Sequence, residues 1–156
     1  MKRYPFVLVI SLVYGLLVPI LAHAFTADDI LGRWVTADGD AVIEFYKCDT
    51  RYCGRIVWAK EPEKKDIHNP DPLLRNQTLL GSTIFTGFVF NGDNEWKDGR
   101  VYDPDNGKRY KCKISMDSED RLKVRGYLLC PIFGRTTVWK RIGSTPKKLA
   151  RRKGHE

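Results

Sequence analysis

From Gly32 to Ile142 this chain alternates apolar and polar residues with period two, broken by turn residues at intervals of roughly ten. That pattern constrains the fold more than any other feature. It predicts short strands at about 32–37, 41–47, 52–59, 82–90, 95–102, 107–115, 120–128 and 135–142. The turns have chemical causes. Ala37-Asp38-Gly39-Asp40 joins the first two strands and Asn91-Gly92-Asp93-Asn94 the fourth and fifth, while Asn106-Gly107 supplies the positive φ of a tight hairpin. No segment after Leu31 has helical periodicity. Before it, Thr26-x-x-Asp29 has the form of a capping box, with Asp in place of Glu or Gln, and opens a short helical turn.

Eight short antiparallel strands joined mostly by hairpins can hide both edges by closing into an up-and-down β-barrel, with a two-sheet sandwich as the main alternative. An eight-stranded interior is either filled by side chains or holds one small ligand. The alternation assigns the faces. Ile56 and Trp58 share one face of the third strand opposite Arg55. On the sixth strand Tyr110, Cys112 and Ile114 alternate with Lys111 and Lys113, and on the seventh Leu122, Val124 and Gly126 alternate with Arg121, Lys123 and Arg125. The basic residues face water, so the apolar sets face inward. The fourth strand, Ile84 to Phe90, is apolar on both faces, as expected where the one long connection, Lys60 to Leu80, folds back over it. Structureless loops of this length commonly act as lids or binding loops.

The chain opens with Lys2 and Arg3, an uncharged run from Pro5 to Leu21, and Ala22-His23-Ala24. This is the layout of a cleavable signal peptide over residues 1–24, so the domain expected at 25–142 works in the periplasm or is secreted. Removing 24 of 156 residues leaves 132, enough for one domain with a real core. The basic count falls from 27 to 25 against 19 acids, a net charge of +6. Much of it lies in a basic tail, residues 143–156, where Lys147, Lys148, Arg151, Arg152 and Lys153 crowd together. The tail is read as a solvated terminus, or as a contact for an anionic envelope surface. Nucleic acid is not an expected partner of an exported domain.

Four cysteines suit two disulfides in an oxidising compartment. Cys48 and Cys53 flank a tight turn and form the first pair. Cys112 and Cys130 pair by elimination, but the register places Cys112 beside Val124. A seventh strand running straight on would then leave Cys130 roughly 20 Å away, so this bond requires a sharp bend near Gly126.

Candidate catalytic groups are few. Asp66, His68 and Asp71 lie together in the long loop, but structural zinc usually takes four Cys or His ligands and calcium takes more oxygens than this segment offers. Turn capping before Pro70 and Pro72 explains these residues. Nucleophile-elbow and phosphate-loop motifs are missing. The expectation is a non-enzyme with no metal or cofactor.

Certain residues together carry a resemblance. They are Gly32-Arg33-Trp34, Cys53-Gly54-Arg55-Ile56-Val57, Asp66-x-x-Asn69-Pro70-Asp71, Arg75 and Leu80-Gly81. Trp96-x-x-Gly99, Tyr102-Asp103-Pro104, Gly107-Lys108-x-Tyr110, Leu122-x-Val124-Arg125-Gly126-Tyr127 and Gly134-Arg135-Thr136-Thr137-Val138-Trp139-x-Arg141 complete the series. The set resembles the DUF2147 family of small exported bacterial proteins over roughly Ile30 to Arg141. The resemblance implies a lipocalin-like barrel and an exported location, and brings no established activity. Cys112 and Cys130 stand outside it.

Two further expectations concern the interior. In a barrel the first and last strands are neighbours, so Gly32-x-Trp34 and Trp139-x-Arg141 should close the structure, with Trp34 under the Arg141 guanidinium. A small apolar or amphipathic ligand, fatty-acid-like, would meet Ile56, Trp58, Phe88, Phe90, Tyr110, Ile114, Leu122 and Val124. Tyr110 would bond its polar head, and Arg75, on the long loop near the mouth, would pair with a carboxylate.

Overall fold

A computed structural model describes residues 24–143; the expected signal peptide and basic tail lie, apart from Ala24 and Gly143, outside the described residues. Eight antiparallel strands form a closed barrel in sequence order. They are β1 (Gly32–Val35), β2 (Ala41–Cys48), β3 (Arg51–Ala59), β4 (Thr83–Phe90), β5 (Glu95–Asp103), β6 (Lys108–Ser118), β7 (Arg121–Tyr127) and β8 (Arg135–Arg141). The seam pairs Trp34 with Arg141 and Val35 with Lys140, which closes the sheet at the end of β8.

Up-and-down order sends the connections alternately to the two ends. The β2–β3, β4–β5 and β6–β7 turns share one end with the N-terminal 3-10 turn (Ala27–Ile30). At the other end lie the β1–β2 turn, the long β3–β4 loop, the β5–β6 turn and the β7–β8 connection with its own 3-10 turn (Pro131–Phe133).

The first end is sealed. The Asp29 carboxylate accepts from the Thr26 amide at 2.7 Å, the capping expected of this segment. Ile30 is fully buried, and Ala27 and Ile30 accept hydrogen bonds from the indoles of Trp96 (3.0 Å) and Trp34 (2.8 Å). The Arg141 guanidinium lies 4.1 Å over the Trp34 ring and donates to the carbonyls of Glu119 and Leu31, both at 2.7 Å, and of Asp29. Gly32 has φ +107, a backbone conformation that favours glycine, and a Cβ there would crowd Arg141 Nη1 at 3.3 Å. The Cys48–Cys53 disulfide staples the β2–β3 turn at the same end.

Above this plug the interior is packed. Trp34, Phe88, Trp96, Cys112, Ile114, Met116 and Leu122 are wholly buried. The Phe88 ring occupies the place of a side chain on β5: a Cβ on Gly99 would meet it at 2.2 Å. Gly54 makes similar room for Phe45 and Phe85.

Three expectations require correction. Trp58 is 49% exposed on the outer face. Ile43 pairs with Ile56 but Val42 with Trp58, so Val57 is an extra residue, and this β-bulge turns the side chains beyond it to the opposite face. Cys112 pairs with Gly126 rather than lying beside Val124, which faces Ile114 instead. Cys112 and Cys130 are both free thiols: Cys112 is buried inside the barrel, while Cys130 lies past the end of β7, in the β7–β8 connection.

Candidate functional site

The second end is open, and two cavities lie in it. The first, about 300 Å³, has a floor of Ile43, Ile56, Phe85 and Trp139 and a wall that includes Leu79 and Lys64 from the long loop. The second, about 470 Å³, is bounded by Val101, Tyr110, Gly126, Tyr127, Phe133 and Arg135. Pro104 lines both. These volumes fall in or near the range of roughly 300–1,000 Å³ usual for small-molecule sites, and the apolar floor with a few polar groups at the rim suits an amphipathic occupant.

Strand alternation explains the floor. Ile43, Ile56 and Phe85 are the inward residues one step nearer the mouth than the packed layer. Trp139 sits opposite Leu122, with its ring edge-on to Phe85 at 5.5 Å and its indole N–H bonded to Thr137 at 3.1 Å. Trp139, expected as part of the closure, is buried on the closing strand β8 and also lines the first cavity.

The long loop is folded rather than slack. Lys65 bridges to Thr78, and the amides of Asp66 and Leu79 donate to Gln77 and Lys64. Three contacts bind it to β5 and the β5–β6 turn. Lys64 pairs with Asp105 at 2.7 Å, which holds the ammonium pKa above its ordinary value, chiefly through that hydrogen bond. The His68 backbone lies against Gly107, where a Cβ would stand 2.0 Å from the carbonyl oxygen. The buried Asp66 carboxylate accepts from Tyr102 Oη at 2.6 Å and from Asn69 Nδ2 at 2.6 Å. Asp71 caps a 3-10 turn at Pro72–Leu74 through the Leu73 amide. Asp66, His68 and Asp71 thus serve the loop's own fold.

The expected ligand residues separate into three places. Ile56 lines the first cavity and Tyr110 the second, where its hydroxyl meets Asn106 Nδ2 at 2.9 Å. Phe88, Ile114, Leu122 and Val124 are buried deeper, and Phe90 packs on Trp96 at 5.0 Å; none of these five lines either cavity. Trp58 and Arg75 are outside: the Arg75 Nε donates to Asn69 O at 2.8 Å within the long loop, so Arg75 does not guard the mouth. Arg135 stands there instead, on the wall of the second cavity and within electrostatic range of Asp38. The signal for it was available, because Arg135, Thr137, Trp139 and Arg141 continue one inward series along β8.

A family described as "Uncharacterized protein conserved in bacteria (DUF2147)" matches residues 32–141. The chain belongs to the DUF2147 family. A solved structure, HP1028 from the human pathogen Helicobacter pylori, described as belonging to the lipocalin family, superposes with a TM-score of 0.68 at 23% identity. The match covers 78% of this chain and 88% of that one, and it shows a shared fold. No match was found among curated proteins. In this DUF2147 member the eight-stranded barrel has one sealed end and one open cup, and the shared fold brings no particular ligand with it.

Proposed function

We propose that this protein is an exported, non-catalytic carrier of a small amphipathic molecule of fatty-acid type. The observation that carries the reading is the half-filled barrel: side chains occupy the sealed half, while the open half holds two cavities that meet at Pro104, the first floored by Ile43, Ile56, Phe85 and Trp139 and the second bounded by Tyr110 and Arg135. The alkyl part would lie on Ile43, Ile56, Phe85 and Trp139. A carboxylate head would meet Arg135, with Tyr110 as a second polar contact. Export is supported by the Lys2-Arg3, apolar-run and Ala22-His23-Ala24 series and by a disulfide suited to an oxidising compartment.

Displacement of a fluorescent fatty acid tests the carrier. Saturable binding is expected, weakened at least about tenfold by Ile56→Trp, which fills the first cavity, while Arg135→Ala weakens the acid more than the matching alcohol. Absence of saturable binding would overturn the reading. Equal binding by Ile56→Trp would move the site elsewhere.

A further inference from the structure

The β7–β8 connection presents Leu128, Leu129, Ile132 and Phe133 to water at 64, 88, 81 and 86% exposure. Four large apolar side chains together in solvent are not scattered surface hydrophobes. Nor is the tip frayed. Arg125 holds it from beneath, donating to Pro131 O at 2.6 Å, Ile132 O at 3.2 Å and Thr136 Oγ1 at 2.6 Å. Gly134 fits where a Cβ would stand 2.6 Å from Gly126 O. The backbone is thus braced while its apolar side chains are left uncovered.

The surroundings are basic. Lys111 sits opposite Tyr127 at the base of the tip, next to Arg125, with Arg135 on the far side. None of these three makes a salt bridge among the described residues, although Asp38 interacts with Arg135 at longer range and Asp103 lines the same cavity; Lys113 and Lys123 are paired with Glu95 and Asp117. An apolar point with an excess of positive charge at its base complements an interface that is apolar inside and anionic at its surface.

We propose that residues 128–133 insert into the head-group region of an anionic lipid bilayer, with Lys111 toward the lipid phosphates and the charge of Arg125, which braces the tip, adding to the attraction. Leu128 and Phe133 also line the second cavity, so insertion would set the mouth of the cup against the bilayer. The surface does not depend on what the cup holds: a negative fatty-acid displacement leaves it standing.

Co-sedimentation of the purified protein with vesicles of phosphatidylethanolamine and phosphatidylglycerol, against phosphatidylcholine alone, tests it. The protein should partition onto the anionic vesicles. Leu129→Asp with Phe133→Asp should lower that partition at least about tenfold, and Leu129→Ser with Phe133→Ser should act in the same direction. All these side chains are in water, so near-ultraviolet circular dichroism should stay unchanged. Replacing Lys147, Lys148, Arg151, Arg152 and Lys153 by Gln should leave binding in place. The proposal fails if the native protein ignores anionic vesicles, if the tip variants bind as well as it does, or if the tail substitutions alone abolish binding. It also fails if the tip variants abolish self-association without lipid, which would make a second copy the occupant.

Discussion

Arg141 uses the shape of its side chain, not only its charge. A planar fork stacks on Trp34 and reaches three carbonyls on two separate segments, Asp29 and Leu31 before the barrel and Glu119 in the β6–β7 turn. Burial lowers its pKa, an effect opposed by Asp29, Glu119 and Asp120. A lysine cannot reproduce this geometry. Arg141→Lys should therefore cost about 1–3 kcal/mol in urea unfolding, because carbonyls at the sealed end lose their donors. Trp34→Ala, which empties a fully buried volume, should cost about 3–5 kcal/mol. A Lys variant as stable as the native protein would mean that water serves those carbonyls equally well.

Among the elements, the long loop is held by three contacts, of which one is a buried pair. Burial, followed by the hydrogen bond to Asp66, pushes the Tyr102 phenol up to about 12 from its ordinary 10.0. The neutral phenol is then the stabilising form. Its contribution is complete below about pH 10 and is lost as the pH rises toward 12. Tyr52, buried and bonded to Asp28 at 2.7 Å, is pushed to about 12 as well. Phenolate absorbance should show two late-titrating tyrosines, and Tyr102→Phe should remove one and speed protease cleavage within 60–82. An unaltered cleavage rate would show that Lys64–Asp105 and the His68–Gly107 contact hold the loop without it. The strands around this loop were legible because alternation and Asx-Gly turns are local signals. The position of Trp58 was not, since a bulge at Val57 leaves no trace in a run of β-favouring residues. The partner of Cys112 was missed because the β6–β7 turn sets the register: β6 runs on to Ser118, which faces Arg121, and alternation alone does not place that turn. The site followed the same rule. Ile56 and Tyr110 lay on readable strands, but where the packed layer ends depends on Gly99 admitting Phe88, which is a matter of three-dimensional packing.

At the scale of the whole molecule, the barrel is dense at one end and open at the other, and its stability should divide accordingly. Native-state hydrogen exchange should find the slowest amides around Trp96, Cys112 and Ile114 and faster ones in the paired residues nearest the mouth, Arg135, Thr136 and Tyr127. Uniform protection along β6–β8 would contradict this gradient. The closing seam has a different consequence, for the order of events during synthesis. Trp34 must wait for Arg141, and the guanidinium must find Leu31 and Asp29 across 110 and 112 residues of chain. A polypeptide emerging from its amino end can form the early hairpins one by one, but it cannot lock until its final strand is free. Until then it remains an open, threadable ribbon.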